Sequence, residues 1–190
     1  MINFKFLGVK FQISFLALWF LVWFLVHDFD NIFLIFIISS ILHELFHIFS
    51  ILFFSAKVER ISLKLFGISI KKNKELPFFK EIIIILSGCF CNILIFIIFI
   101  MTKFKKIAII NLIIFIYNVI FYDNLDGGQA IRLILNRKLK PKDYEKTEKV
   151  IQIFFKVTST AIVIFLSIIL KNKIYIIFWA IYFFITVIKK

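Results

Sequence analysis

At 190 residues the chain has the length of one ordinary soluble domain, but 62% of it is hydrophobic and 28 residues are Phe, against roughly 45–50% apolar residues in a globular average. The net charge of +13 does not mark a nucleic-acid binder, because Lys and Arg cluster beside the ends of apolar runs, where they set membrane orientation. Composition therefore excludes a soluble domain and points to an all-α polytopic membrane protein of about six spans, with the lipid bilayer as its first partner and no nucleic acid.

In chain order, residues 1–12 read as a short amphiphilic lead-in carrying Lys5 and Lys10. Residues 13–26, extended by Phe11 and Gln12, are just long enough for a first span. No small-residue cleavage pattern follows it, so this helix is expected to be retained. A polar loop over residues 27–31 holds no Lys or Arg.

The second span, about residues 32–54, has Glu44 as its one formal charge and carries His43-Glu44-Leu45-Phe46-His47. On a helix, positions four apart face the same way, so the two imidazoles converge on one point. Glu44 is close enough to reach a water held there. That is the mechanical content of an H-E-x-x-H motif: two imidazoles bind zinc, and a carboxylate takes a proton from the water. A pair of His residues hydrogen-bonded between packed helices is the bland alternative. It leaves a buried Glu beside them without a partner, and ionisable groups inside a membrane are functional by default.

Residues 56–72 alternate apolar and polar with a period near two around Gly67, the signature of a small β-hairpin at the membrane surface. The third span, about residues 78–101, contains Cys89 and Cys91, which point to different helix faces and are expected to pack rather than pair. After a lysine turn, the fourth span runs from about 107 to 122 and ends in Asp123-Asn124-Leu125-Asp126-Gly127-Gly128. Residues 129–149 are charged, with helix expected at both ends and a break at Pro141. Fifth and sixth spans are expected over residues 151–170 and 174–188. The whole, 1–190, is expected to be one integral-membrane domain with a core over 8–135.

With the N-terminus inside, eighteen Lys and Arg fall in inner segments, five in outer loops, and Lys156 lies within a span. The positive-inside rule then places both termini in the cytoplasm. His47 sits roughly 10 Å from the inner end of its span at 1.5 Å per residue. Asp126, at the inner end of the fourth span, can meet it there. Two His plus one carboxylate, with the fourth position left to water, is a catalytic zinc arrangement. Gly127 and Gly128 let the backbone turn sharply beside it. Spacing alone suits a helix cap for Asp126 equally well, and Asp123 is a rival ligand.

These motifs resemble those of the site-2 protease family of intramembrane zinc metalloproteases, and look most like the branch containing stage IV sporulation protein FB. The resemblance covers residues 8–135. It rests on the H-E-x-x-H span, the following hairpin, a Gly-x-x-x-Asn element at Gly88 and Asn92, and an Asn-x7-Asp-Gly pattern at Asn118, Asp126 and Gly127. It implies His43, His47 and Asp126 as ligands of one Zn2+ and Glu44 as the general base. The activity implied is cleavage of a membrane-anchored protein within or next to its transmembrane segment, near the cytoplasmic face of a bacterial cell membrane. In the closest branch the substrate would be a membrane-tethered precursor of a late sigma factor, with inhibitory membrane proteins as further partners. Two departures stand out. Phe121 and Asn124 occupy a segment where relatives often carry prolines, and a C-terminal nucleotide-sensing regulatory domain is not expected here.

In that chemistry the side-chain amide of Asn118 or Asn92 can donate to the developing oxyanion, although both suit interhelical hydrogen bonding as well. The hairpin can offer a strand edge to an unwound substrate. A metal or proton transporter is the main alternative, but it calls for polar groups through the whole bilayer, and the outer halves of these spans are almost wholly apolar. An inactive membrane scaffold is the other alternative. The intact motif argues against it.

Overall fold

The computed structural model describes residues 1–6, 8–26, 28, 31–64, 67–120, 125–140, 143–151, 153, 154 and 157. The expected sixth span, most of the fifth, Pro141 and Asp123 lie outside the described residues.

The N-terminus departs from expectation. Ile2–Phe6 (β1) and Val9–Ile13 (β2) form an antiparallel hairpin turned at Gly8, whose φ of +84° suits a residue without a side chain. Phe11, Gln12 and Ile13, expected to open the first span, are strand residues instead. The helix that follows, α1 (Phe15–Val26), has 12 residues and is roughly 18 Å long. The physical reason lies in strand β2 itself, which pairs in parallel with β3 (Val58–Lys64), Lys10 opposite Arg60 and Ile13 opposite Leu63. Ser62 Oγ adds a hydrogen bond to Gln12 Oε1 at 3.1 Å. Strand β4 (Gly67–Lys72) then turns back antiparallel on β3, as the alternation over residues 56–72 led one to expect. The result is a four-stranded sheet in the order β1-β2-β3-β4 beside the helices, so the chain is mostly helical rather than all-α.

Helix α2 (Ile32–Phe53) is 22 residues of almost unbroken apolar sequence. Its first turn is capped from outside: the Asp28 carboxylate accepts from the backbone N–H groups of Phe33 and Leu34 at 3.1 and 2.8 Å, placing an anion where the helix dipole favours one. Its last turn closes with Ser55 at φ 58°, bonding Ser55 N–H to Leu52 O and Ala56 N–H to Ile51 O. That paired bonding satisfies the terminal carbonyls and redirects the chain into β3.

Helix α3 (Phe78–Ile100) starts at Pro77 and is tied to the sheet by Glu81, which accepts from Leu76 N–H and pairs with Lys72. It packs against α2, α4 (Lys105–Ile120) and α5 (Asp126–Lys138). The close approach is permitted by a buried run of small residues, Ser87, Gly88 and Cys89. Arg137, in the last turn of α5, lies 4.4 Å over the Phe78 ring at the start of α3. The charged segment continues as helix from Asp143.

Among the described residues, α2 and α3 are the two helices long and apolar enough to cross a bilayer. Their outward faces expose the large apolar side chains of Phe36, Leu45, Phe49, Phe53, Phe90 and Ile98, which suit contact with lipid. The strand order makes a check possible. Amide hydrogen exchange should be slower in β2 and β3, each paired on both sides, than in the end strands β1 and β4. Equal exchange across the sheet would contradict the parallel β2–β3 ladder.

Candidate metal centre

His43 and His47 lie on the buried face of α2, four residues apart, with Nε2 atoms separated by 3.1 Å. At 1.5 Å per residue His43 is roughly 15 Å from either end of the helix. Asp126 opens α5, where the N-terminal end of the helix dipole favours its negative charge. Its Oδ2 lies 3.0 Å from His43 Nε2 and 3.2 Å from His47 Nε2. The side chain expected either to cap a helix or to join the histidines is thus directed at the two imidazoles. The Cys89 thiol donates to the same Oδ2 at 3.5 Å.

The outer nitrogens of both rings are occupied. His47 Nδ1 donates to the backbone carbonyl of Ile84 at 2.8 Å, with Ser87 Oγ nearby and bonded to that same carbonyl. His43 Nδ1 is 2.5 Å from Asn92 Oδ1. When Nδ1 carries the proton, Nε2 of a neutral imidazole presents a lone pair. Two lone pairs and a carboxylate oxygen then face a single point. Three ligands on a tetrahedral zinc with bonds of about 2.0 Å lie roughly 3.3 Å apart, and the three edges here measure 3.0, 3.1 and 3.2 Å. Among the described residues these three side chains form a buried group able to hold a metal ion. The residues fit zinc.

Two glycines make the convergence possible. A Cβ at Gly88 would fall 2.5 Å from both Nε2 atoms, so the floor of the site is open only because α3 carries no side chain there. A Cβ at Gly127 would run into the carbonyl oxygen of Val119, with the carbonyl oxygen of Asn118 3.0 Å away. Only glycine lets the first turn of α5 press against the backbone of α4 and deliver Asp126.

Glu44 is half-buried, one residue beyond His43, within electrostatic reach of both imidazoles and of Asp126. Asn92 is fully buried behind His43, and its Nδ2 donates to Asn111 Oδ1 at 2.9 Å. Asn118 is placed differently: its Nδ2 donates to the Ile114 carbonyl one turn back in α4, at 3.1 Å. Sequence reasoning passed over Ser39, Ser87 and Asn111. The signal was there for Asn111, an amide set between Ile110 and Leu112 on an apolar helix.

No protein-family model matches this chain, and no curated protein matches it. Among solved structures it is similar to the Site-2 Protease from Methanocaldococcus jannaschii, with a TM-score of 0.66, 23% identity, and coverage of 94% of this chain and 90% of that one. At that identity the likeness is one of fold.

The Gly88 geometry yields a direct test. Gly88→Ala should weaken zinc binding at least about tenfold, the lower range for a disturbed ligand orientation, as read by competition with a chromogenic chelator. Gly127→Ala meets backbone that has no rotamer to change, so it should also destabilise the chain by about 1–3 kcal/mol, read as a lowered Tm in detergent. Unchanged zinc affinity in Gly88→Ala would place the metal elsewhere.

Proposed function

We propose that this chain is an intramembrane zinc metalloendopeptidase of the site-2 protease type. The observation that carries the reading is the buried triangle of His43 Nε2, His47 Nε2 and Asp126 Oδ2, set among helices whose outer faces are apolar. The fold shared with a solved site-2 protease supports it.

His43, His47 and Asp126 would hold the ion, and zinc bound there supplies Lewis acidity that acidifies water and polarises a carbonyl. Glu44 accepts the proton of the attacking water and returns it to the leaving nitrogen. The Ile84 carbonyl and Asn92 hold the two imidazoles in orientation. Of the two amides proposed to steady the developing oxyanion, Asn92 is committed at both ends, to His43 and to Asn111. Each keeps a second amide hydrogen, but Asn92 is fully buried behind His43 while Asn118 is half-buried, so the role is assigned to Asn118.

The substrate is a membrane-anchored protein cut within or beside its transmembrane segment. A peptide bond inside a helix is shielded, so the substrate must be extended before attack, and β4, an end strand of the sheet among the described residues, offers an edge for it. The charge distribution supports cytoplasmic termini and cleavage near the cytoplasmic face of a bacterial membrane. The finer resemblance extends the proposal to processing of a sporulation sigma-factor precursor, with inhibitory membrane proteins as partners, by a single domain over residues 1–190.

The decisive comparison is cleavage of a membrane-tethered precursor by the wild type and by Glu44→Gln in the same vesicles. Turnover should fall by about 10²–10⁴-fold, the usual worth of a positioned general base, with one zinc per chain retained. Equal cleavage by the two proteins would falsify the role assigned to Glu44.

A further inference from the structure

The two faces of the sheet differ in chemistry, and the strand register sorts them. Paired residues on neighbouring strands point to the same face, and successive residues along a strand to opposite faces. Lys5 of β1 lies opposite Lys10 of β2, Lys10 opposite Arg60 of β3, and Arg60 opposite Lys71 of β4. One row across the whole sheet therefore consists of cations. The next row on that face is Asn3, Gln12, Ser62 and Ser69, uncharged but rich in hydrogen-bonding groups. The row between them belongs to the opposite face and reads Phe4, Phe11, Ile61 and Ile70.

The apolar face shows which way the cations look. Ile70 packs against the cluster of Ile51, Ala56 and Ile84, at the end of α2 and the first turns of α3. That face is thus laid on the helix bundle. At the far end of the sheet it carries Phe4 and Phe6 on β1, 47% and 61% exposed, which suit the lipid beside the bundle. With helices and lipid on one side, the cationic face is turned to the other, toward water.

Like charges set directly opposite one another weaken a sheet. Among the described residues none of the four cations forms an ion pair, and Arg60 Nε, shut off from solvent, makes no hydrogen bond. Lysines on end strands guard a sheet against edge-to-edge aggregation, which accounts for Lys5 and Lys71 only. Lys10 and Arg60 sit on the two inner strands. Membrane orientation depends on how many cations flank a span, not on their alignment. An anionic partner lying across the row accounts for all four. With strands about 4.8 Å apart the row is roughly 14 Å long, a length and flatness that suit an extended chain of anions. The adjoining amides and hydroxyls suit peptide backbone.

We propose that this face docks an acidic stretch of the protein substrate, its carboxylates laid across Lys5, Lys10, Arg60 and Lys71. The sheet is well placed for this, since Ile70, beside Lys71 on β4, packs on the cluster that includes Ile84, whose carbonyl holds His47. An acidic segment held there lies close to the metal centre and sets which membrane proteins reach it. That the docked chain is the substrate rests on the proposed function; that it is an acidic polypeptide does not.

The test places the full chain in phosphatidylcholine nanodiscs and titrates it into a fluorescent peptide of alternating Glu and Ser, read by anisotropy. The wild type should bind this peptide but not its Gln counterpart, and more weakly as salt is raised. The triple variant Lys5→Gln/Lys10→Gln/Lys71→Gln changes only exposed side chains. Its affinity should fall by about 3–100-fold, as for the loss of three exposed ion pairs. Lys103→Gln/Lys105→Gln/Lys106→Gln, which removes the same charge beyond the far end of α3, should bind as the wild type does. Replacing Lys5, Lys10 and Lys71 by Glu should switch the preference to a peptide of alternating Lys and Ser. Equal binding of the Glu and Gln peptides, or equal losses in the two Gln triples, would overturn the proposal. So would phosphatidylglycerol that survives detergent extraction on the wild type and not on the first triple, with no peptide bound, because the row would then face the bilayer. In cleavage of a membrane-tethered precursor with an acidic flank, the first triple should raise KM by a similar factor and leave kcat unchanged. Unchanged KM would overturn the assignment to substrate. Peptide binding as expected by a chain that cleaves no precursor refutes the proposed function alone.

Discussion

Two imidazole lone pairs and a carboxylate oxygen, held 3.0–3.2 Å apart inside an apolar bundle, repel one another unless a positive charge lies among them. In a medium of low dielectric that repulsion is weakly screened, and the attraction of each group to a cation is correspondingly strong. The arrangement of the helices follows from this constraint. Helix α2 contributes both rings, α5 contributes the carboxylate, and α3 contributes the space between them.

The contribution of α3 is the least visible and the most general. It touches α2, α4 and α5, and its buried residues are mostly small, Ser87, Gly88, Cys89 and Cys91, beside Ile84 and Asn92. A bilayer offers helices little hydrophobic reason to associate, so close backbone approach and interhelical hydrogen bonds carry the packing. Both are concentrated here. The stretch of α3 that comes near α2 also orients the rings, through the Ile84 carbonyl and the Asn92 amide that flank those small residues. Assembly of the bundle and organisation of the site are one event.

What could be read in the sequence divides along physical lines. The pair His43 and His47 was legible because helical periodicity alone puts the rings together. Asp126 was partly legible: its place after an apolar run allowed a cap or a ligand, and only the packing of Gly127 on Val119 aims it. The hairpin over residues 58–72 was legible from its alternation. The one at the N-terminus, Ile2-Asn3-Phe4-Lys5-Phe6 before Gly8 and Val9-Lys10-Phe11-Gln12-Ile13 after it, alternates just as clearly. Its second half ran into the apolar stretch that follows and was absorbed into a span. Asn111 was not legible as a partner of the site because its side chain joins three helices at once, bonding Ser39 of α2 and Asn92 of α3 from α4, and no local pattern encodes that.

The parallel pairing of β2 with β3 has a topological corollary. Strand β2 precedes α1, and β3 follows α2, yet the two are bonded edge to edge in one sheet. A sheet cannot be threaded through hydrocarbon, because its exposed edges would leave backbone groups unsatisfied. Whatever path the chain takes between residues 14 and 57, it must therefore come back to the side it left, and the number of crossings in between is even. Parity, imposed by backbone hydrogen bonds, requires β2 and β3 to share one side, whichever side that is.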